Sequence, residues 1–300
     1  METRRTLLVD AFTTESCAGN AAGVVPDAAG LDDGQRQAIA AELGASETAF
    51  LTDSADADRR IRYFTPTQEV DLCGHATVAS HAQLFADGVI DAGTHTLETN
   101  VGVLDIEVTD EGVVWMTQDA PTVRPVEVDY DRLGDALGID PAALTDVGAD
   151  LDTAYASTGL PFLVVPVNFL EHLGDADPDM AAVEAISEEY DVAGIYAFTF
   201  DALESDSTLH GRMWAPAAGV PEDPVTGTAS GACGAYLRES GAFDEFPEEM
   251  RFEQGHFVDR PGHVRVRVDG TEVRVGGEAT TTLEGELAVP PADEDGIIEA

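Results

Sequence analysis

Parts of this chain occur twice in the same order, and that repetition limits its possible folds more than any single element does. Gly19-Asn20-Ala21-Ala22-Gly23-Val24-Val25 is echoed by Gly159-Leu160-Pro161-Phe162-Leu163-Val164-Val165, each a glycine just before a strand that ends Val-Val. Phe64-Thr65-Pro66 leads to Glu69 and Gly74-His75-Ala76, as Trp214-Ala215-Pro216 leads to Glu222 and Gly227-Thr228-Ala229. Leu84 and Leu237 each close the small-residue stretch that follows, and Glu98–Val108 is matched by Glu253–Val268. Repeated blocks in a fixed order point to two copies of one domain with a strand-loop-helix core.

Between these landmarks the chain reads as short strands broken by Gly, Asp and Pro. They include Thr6–Phe12, Arg60–Phe64, Val103–Val108, Phe162–Val167, Gly194–Phe200, His263–Val268 and Glu272–Val275. In His263–Val268 valines alternate with polar residues, the mark of a half-buried strand. Helical patterns are fewer: Asp33–Leu43, Thr77–Phe85, Asp131–Leu137, Met180–Tyr190 and Ala229–Arg238. The mixture predicts an α+β fold with mainly antiparallel sheet. The helices Ala76–Ala82 and Ala229–Ala235 are built of small residues that let other backbone approach, so both are expected in the interior.

Charge decides which partners suit such a fold. The 300 residues carry 58 Asp+Glu against 15 Lys+Arg, a formal charge of −43, and all 15 cations are arginine. Without lysine there is no Schiff-base amine, no pyridoxal phosphate anchor and no GK[ST] phosphate loop. An acidic surface repels nucleic acid and anionic membranes, so neither is an expected partner. Hydrophobic residues still make up 44% of the chain, enough to bury a core rather than stay disordered. Such a surface suits a halophilic, acidic proteome: the Debye length falls from about 10 Å at 0.1 M salt to about 3 Å at 1 M, and exposed carboxylates then cease to repel one another. Molar salt is therefore expected to rescue folding and solubility, while binding in the site responds far less once folding is saturated. Denaturation and ligand titrations across KCl concentrations check this, and a steep loss of affinity over the saturated range would point to an exposed Arg cluster instead.

Cys17, Cys73 and Cys233 are too few and too scattered for a disulfide framework, which fits a reducing compartment. The first ten residues hold paired arginines but too few apolar residues for a signal segment, and no apolar run approaches the ~20 residues of a membrane span. The expectation is a cytoplasmic protein, with a homodimer as the default assembly.

Val9-Asp10-Ala11-Phe12-Thr13, Ala18-Gly19-Asn20, Ser46-Glu47-Thr48-Ala49-Phe50, Phe64-Thr65-Pro66-Thr67-Gln68-Glu69-Val70, Gly74-His75-Ala76-Thr77 and Glu222-Asp223-Pro224-Val225-Thr226-Gly227-Thr228-Ala229 together resemble the phenazine-biosynthesis isomerase (PhzF-like) family. The tail, from Gln254-Gly255 through Arg260-Pro261 to Val275-Gly276-Gly277, resembles it as well. The resemblance implies two pseudo-symmetric diaminopimelate-epimerase-like domains, each a curved antiparallel sheet around a central helix, with the active site between them. Boundaries are set at 1–122 and 123–287, the last strand being free to pack on the N-terminal domain, with an acidic tail at 288–300. It also implies a cofactor-independent isomerase that moves a proton along a small cyclic carboxylated substrate, dihydrohydroxyanthranilate in the best-known members. Glu47 is then the general acid/base, while His75 and Asp223 hold or relay protons. Thr228 stands where the family has serine, keeping the hydroxyl and adding a methyl.

The residues support this chemistry independently. Moving a proton between carbons needs one group that both gives and takes it, and a carboxyl does so near neutral pH when an apolar or acidic setting favours its protonated form. Glu47 has Ala45, Thr48, Ala49 and Phe50 as neighbours. Glycines opening the two small-residue helices leave backbone N–H groups at positive dipole ends, so Gly74 and Gly227 are expected to bind the substrate carboxylate. Asn20 is a further candidate ligand, with a turn role beside Gly19 as the alternative. His75 and Asp223 have structural readings too, as a helix-start imidazole and a turn aspartate. Asp71, His75 and His81 straddle a glycine turn and offer no third ligand on one face, so no metal is expected. Cys73 stands where two-thiol racemases carry their first thiol, but its counterpart Thr226 cannot supply the second. A Cys73-dependent racemase, epimerase or dehydratase remains one alternative, and a non-catalytic metabolite-binding protein the other.

Overall fold

The sequence repeat reappears as a repeat of strand pairing. In the computed structural model, which describes residues 2–145, 147 and 151–292, the chain divides into two units, Met1–Met116 with Glu278–Ala300, and Thr117–Gly277. Within the first, β1 (Thr3–Ala11) and β2 (Asn20–Val25) pair antiparallel. Helix α1 (Asp33–Leu43) crosses over to β3 (Glu47–Thr52), which runs parallel to β2, and β4 (Arg59–Phe64) returns antiparallel. Short β5 (Glu69–Val70) pairs antiparallel with one end of β4. After helix α2 (Gly74–Ala86), β6 (Gly93–Thr99) pairs parallel with its other end. β7 (Gly102–Val108) and β8 (Val114–Thr117) complete an antiparallel meander.

The second unit follows the same plan. It opens with β9 (Thr122–Pro125), α3 (Tyr130–Leu137), α4 (Pro141–Thr145), β10 (Ala154–Ser157), β11 (Pro161–Pro166), α5 (Leu170–Gly174), α6 (Met180–Tyr190) and β12 (Gly194–Thr199). It continues through β13 (Leu209–Ala215), β14 (Val220–Asp223), α7 (Gly227–Glu239), β15 (Met250–Gln254), β16 (Gly262–Asp269) and β17 (Glu272–Gly277). Each pairing keeps the direction of its counterpart: β10–β11 antiparallel, β11–β12 parallel, β12–β13 antiparallel, then β13 antiparallel to β14 and parallel to β15. β15–β16 and β16–β17 are antiparallel, like β6–β7 and β7–β8.

Two added strands explain where the units divide. β18 (Ala279–Ala288) runs antiparallel along the whole of β1, so residues from Glu278 onward lie with the first unit. β9 does the same for β10, and the Gln118 amide donates to the Val273 carbonyl at 2.8 Å. The division therefore falls after Met116 rather than after residue 122. Of the tail assigned to 288–300, residues 293–300 lie outside the described residues.

Each sheet wraps around one helix. Every residue of α2 from Ala76 to Leu84 and of α7 from Ala229 to Leu237 is buried, as a helix apolar or small on all sides requires. α2 packs on β1, β2, β3, β7 and β18, and α7 on β9, β10, β11, β16 and β17. At Gly234 a Cβ would lie 2.6 Å from Val266 Cγ1, so only glycine allows α7 this approach to β16. Other helices cover the outer sheet faces: α1, through Ile39, seals Val25, Phe50 and Phe64, and in the second unit Leu137, Ile186, Leu163, Val165 and Trp214 share one core. Strands buried on both faces, such as β11 and β12, consequently read as continuous apolar runs. β16 instead alternates buried valines with Arg265 and Arg267, both paired with Glu249. Among the described residues, no helix is long and apolar enough to cross a membrane.

Candidate active site

The two central helices differ at their N-termini from the other helices of eight residues or more. α1, α3 and α6 are capped by the side chains of Asp32, Asp129 and Asp179, whereas Cys73 and Thr226, the residues preceding α2 and α7, make no side-chain cap. Their first amides, beginning at Gly74 and Gly227, therefore keep their donor capacity at the positive ends of 13-residue helices. A Cβ added at Gly74 would meet nothing within 4 Å, so the approach to that terminus is open.

Beside it in the first unit lie three of the residues singled out from the sequence. Glu47 opens β3, and its Oε2 stands 3.3 Å from His75 Nε2 in the first turn of α2. Ser46 Oγ is also 3.3 Å from His75 Nε2, and Cys73 Sγ lies against the same ring, 3.4 Å from Nδ1 and 3.9 Å from Nε2. A carboxylate that touches an imidazole and keeps 23% of its side-chain surface in contact with solvent can both hold a proton and exchange it. Ala45, Thr48, Ala49 and Phe50 are buried as their composition predicts, but Glu47 is only partly so. At the end of the strand it leans on His75 rather than on an apolar enclosure.

Thr77 Oγ1 bonds the Cys73 carbonyl at 2.7 Å and meets the Tyr63 hydroxyl at 2.5 Å, fixing the start of α2 from within. Asn20 is buried at the start of β2, two residues before the Ala22–Glu47 register pair, which puts it at the same sheet end as Glu47. The turn before it is held by Gly19 at φ +56°, where a Cβ would lie 2.2 Å from the Ala11 carbonyl oxygen.

In the second unit Asp223 ends β14 and accepts a 2.5 Å hydrogen bond from Thr226 Oγ1. Gln254, at the end of β15, clamps this loop: its Nε2 donates to the Asp223 carbonyl at 2.7 Å and its Oε1 accepts from the Thr226 amide at 3.2 Å. Ser230 Oγ bonds the Thr226 carbonyl at 2.8 Å, repeating the Thr77–Cys73 contact of α2. Thr228 is half-buried in the first turn of α7, and its carbonyl accepts from Thr158 Oγ1 at 3.4 Å. Sequence reasoning quoted Gln254 only within a family string and assigned it no task; the clamp depends on where β15 ends relative to β14.

One Glu47 carboxylate oxygen, the Cys73 sulfur and a His75 ring nitrogen lie within 4.8 Å of one another, a donor set that also fits a divalent ion. Asp71 is exposed, and His81 is buried with Nδ1 2.9 Å from the Thr77 carbonyl, so neither joins that group. Burial, opposed in part by the Thr77 carbonyl, pushes the His81 imidazole down to about 4.

Two like-built units, each with an uncapped central helix opening on glycine, define an epimerase-like isomerase fold. The model for "Phenazine biosynthesis-like protein" (PhzC-PhzF) matches residues 9–285, and the chain belongs to that family. The chain is 35% identical over 290 residues to the uncharacterized isomerase YfhB of Bacillus subtilis, covering 95% of this chain and 96% of that one. The crystal structure of the Bacillus anthracis phenazine biosynthesis protein, PhzF family, superposes with a TM-score of 0.86 at 33% identity, over 96% of this chain and all of that one (100%). A hydroxyproline epimerase from Agrobacterium vitis, at 14% identity and a TM-score of 0.60, covers 96% of this chain and 91% of its own, and shows the shared fold alone. By its family the chain is an isomerase-type enzyme.

Proposed function

We propose that the protein is a cofactor-independent isomerase that shifts a proton, and with it a double bond, in a small, cyclic, carboxylated metabolite. The observation that carries this reading is the Glu47–His75 contact of 3.3 Å beside the open, uncapped start of α2. Glu47 removes a proton from one carbon and returns it to another. His75 steadies the carboxylate as its charge changes, with Ser46 Oγ and Cys73 Sγ both against its ring. The amide of Gly74 at the start of α2 is the donor for a substrate carboxylate, and Gly227 opens α7 of the second unit in the same way. Asn20 and Thr228 add hydrogen bonds, and Asp223, bonded to Thr226, holds or relays a proton.

A screen of small cyclic and amino carboxylates in D2O with molar salt tests the reading. Turnover with deuterium delivered to the accepting carbon is the expected result. Ligands that raise the melting temperature with neither product nor C–H exchange would make the chain a binding protein. Cys73 supports the competing reading, because its sulfur lies 3.4 Å from an imidazole that could draw off the thiol proton. Its counterpart Thr226 carries a hydroxyl that donates to Asp223, so the second thiol of a two-thiol inversion is missing.

A further inference from the structure

The strand repeat places Glu98 of β6 and Glu253 of β15 at matching positions, but with different partners. In the first unit Arg60 stands opposite Glu98 and forms a salt bridge with it. In the second, His210 stands opposite Glu253 with both side chains fully buried, His210 Nδ1 donating to Glu253 Oε1 at 2.8 Å. Glu253 also accepts from the amides of Leu203, at 2.5 Å, and Glu204, at 3.0 Å. Burial disfavours its charge, yet the His210 and backbone donors outweigh burial and bring the carboxyl down to about 2.

An arginine uses its charge fully on such a partner, whereas a histidine has a second nitrogen left over. His210 Nε2 is buried and meets no hydrogen-bond partner. The His256 ring, opening the turn His256–Val258, lies 5.1 Å from the His210 ring between centroids, and its Nδ1 is likewise buried without a partner. Donor atoms of His210, Glu253 and His256 all fall within 4.8 Å of one another. Unpartnered buried nitrogens are costly, and a histidine that gives its other N–H to a fixed carboxylate is the usual state of a metal-ligating imidazole. Gly255, at φ +86°, would place a Cβ 2.1 Å from the Arg260 carbonyl oxygen, so the turn presenting His256 is tightly held.

We propose that His210 Nε2 and His256 Nδ1 bind a divalent transition ion of the Zn2+, Co2+ or Ni2+ class, with Glu253 fixing the His210 ring. Two imidazoles beside a carboxylate suit borderline ions rather than Mg2+ or Ca2+. His256 is only partly buried, which gives the ion a route in. The site shares no residue with the Glu47, Cys73 and His75 group. Through Gln254, the residue after Glu253, a bound ion braces the loop that carries Asp223.

The test uses the full chain, stripped with chelator, in molar KCl with excess Mg2+ to occupy surface carboxylates. Titration with Co2+ is expected to give one ion per chain, a visible d–d band without thiolate charge transfer, and a higher melting temperature. Zn2+ should displace it. His256→Asn should weaken binding at least about 10-fold while the far-UV spectrum is unchanged. It is a better probe than His210→Ala, which strands the buried Glu253 carboxylate. No band and no stabilisation with excess Co2+ would overturn the proposal. So would a thiolate charge-transfer band that survives His256→Asn and disappears in Cys73→Ser, since that ion would sit on Glu47, Cys73 and His75.

Discussion

Glu47→Gln lowers turnover by about 10²–10⁴-fold with little change in KM, whereas Cys73→Ser leaves turnover within a few-fold of the parent. Glutamine has nearly the shape of glutamate and still reaches His75, so substrate contacts and the first turn of α2 persist. It can neither take nor return a proton, and the loss should therefore fall on kcat. Serine at position 73 keeps a polar atom near His75 Nδ1, where the sulfur stands at 3.4 Å. Two measurements check the pair: steady-state kinetics on whichever carboxylate the screen identifies, and deuterium incorporation at the accepting carbon. Retained turnover in Glu47→Gln together with loss in Cys73→Ser would move the proton to the thiol and overturn the isomerase mechanism. Unchanged melting curves for both variants make the comparison one of chemistry rather than folding.

How much of this was legible in the sequence depended on whether the signal was local. The repeat was legible because strand order survives duplication: glycines precede β2 and β11 at Gly19 and Gly159, both at positive φ. Helices α1, α2, α3, α6 and α7 were legible from their patterns, while the five-residue α4 and α5 are too short to show a period. Glu47 could be singled out through its string, yet its neighbours in sequence misdescribe its setting. Ala49 and Phe50 are buried in the interior of β3, and the carboxylate at the strand's end meets a histidine from another element. Gln254 on Asp223 and His210 on Glu253 were not legible at all. Both contacts arise from one edge of β13, where β14 and β15 pair at opposite ends, and that register follows from the folded sheet rather than from residue spacing.

His81 gives the central helix of the first unit a dependence on pH. The ring is 2% exposed, and burial holds its pKa at about 4 in the folded chain, against 6.5 for the free side chain. Above about pH 6.5 the imidazole is neutral whether the chain is folded or not, so it adds no pH dependence there. Between 6.5 and 4 the unfolded chain binds a proton that the folded chain refuses, and stability falls as the pH falls. The shift corresponds to about 3 kcal/mol by pH 4, at 1.36 kcal/mol per pKa unit. His256 and His263 are depressed by burial in the same direction and steepen the parent's curve. Comparison with His81→Leu isolates the His81 share: leucine fills most of the same volume, and the Thr77 carbonyl keeps its helical N–H donor. Urea unfolding in molar KCl should show the parent losing about 3 kcal/mol more than His81→Leu between pH 6.5 and 4. A constant offset between the two curves reflects packing, so only their difference in slope reports the titration. Parallel curves would mean that the folded chain protonates His81 as readily as the unfolded one, and the proposed acid sensitivity of α2 would be lost. Below about pH 4.5 the Glu253 carboxyl adds a second loss, as the unfolded chain protonates a group that the folded chain keeps charged down to about 2.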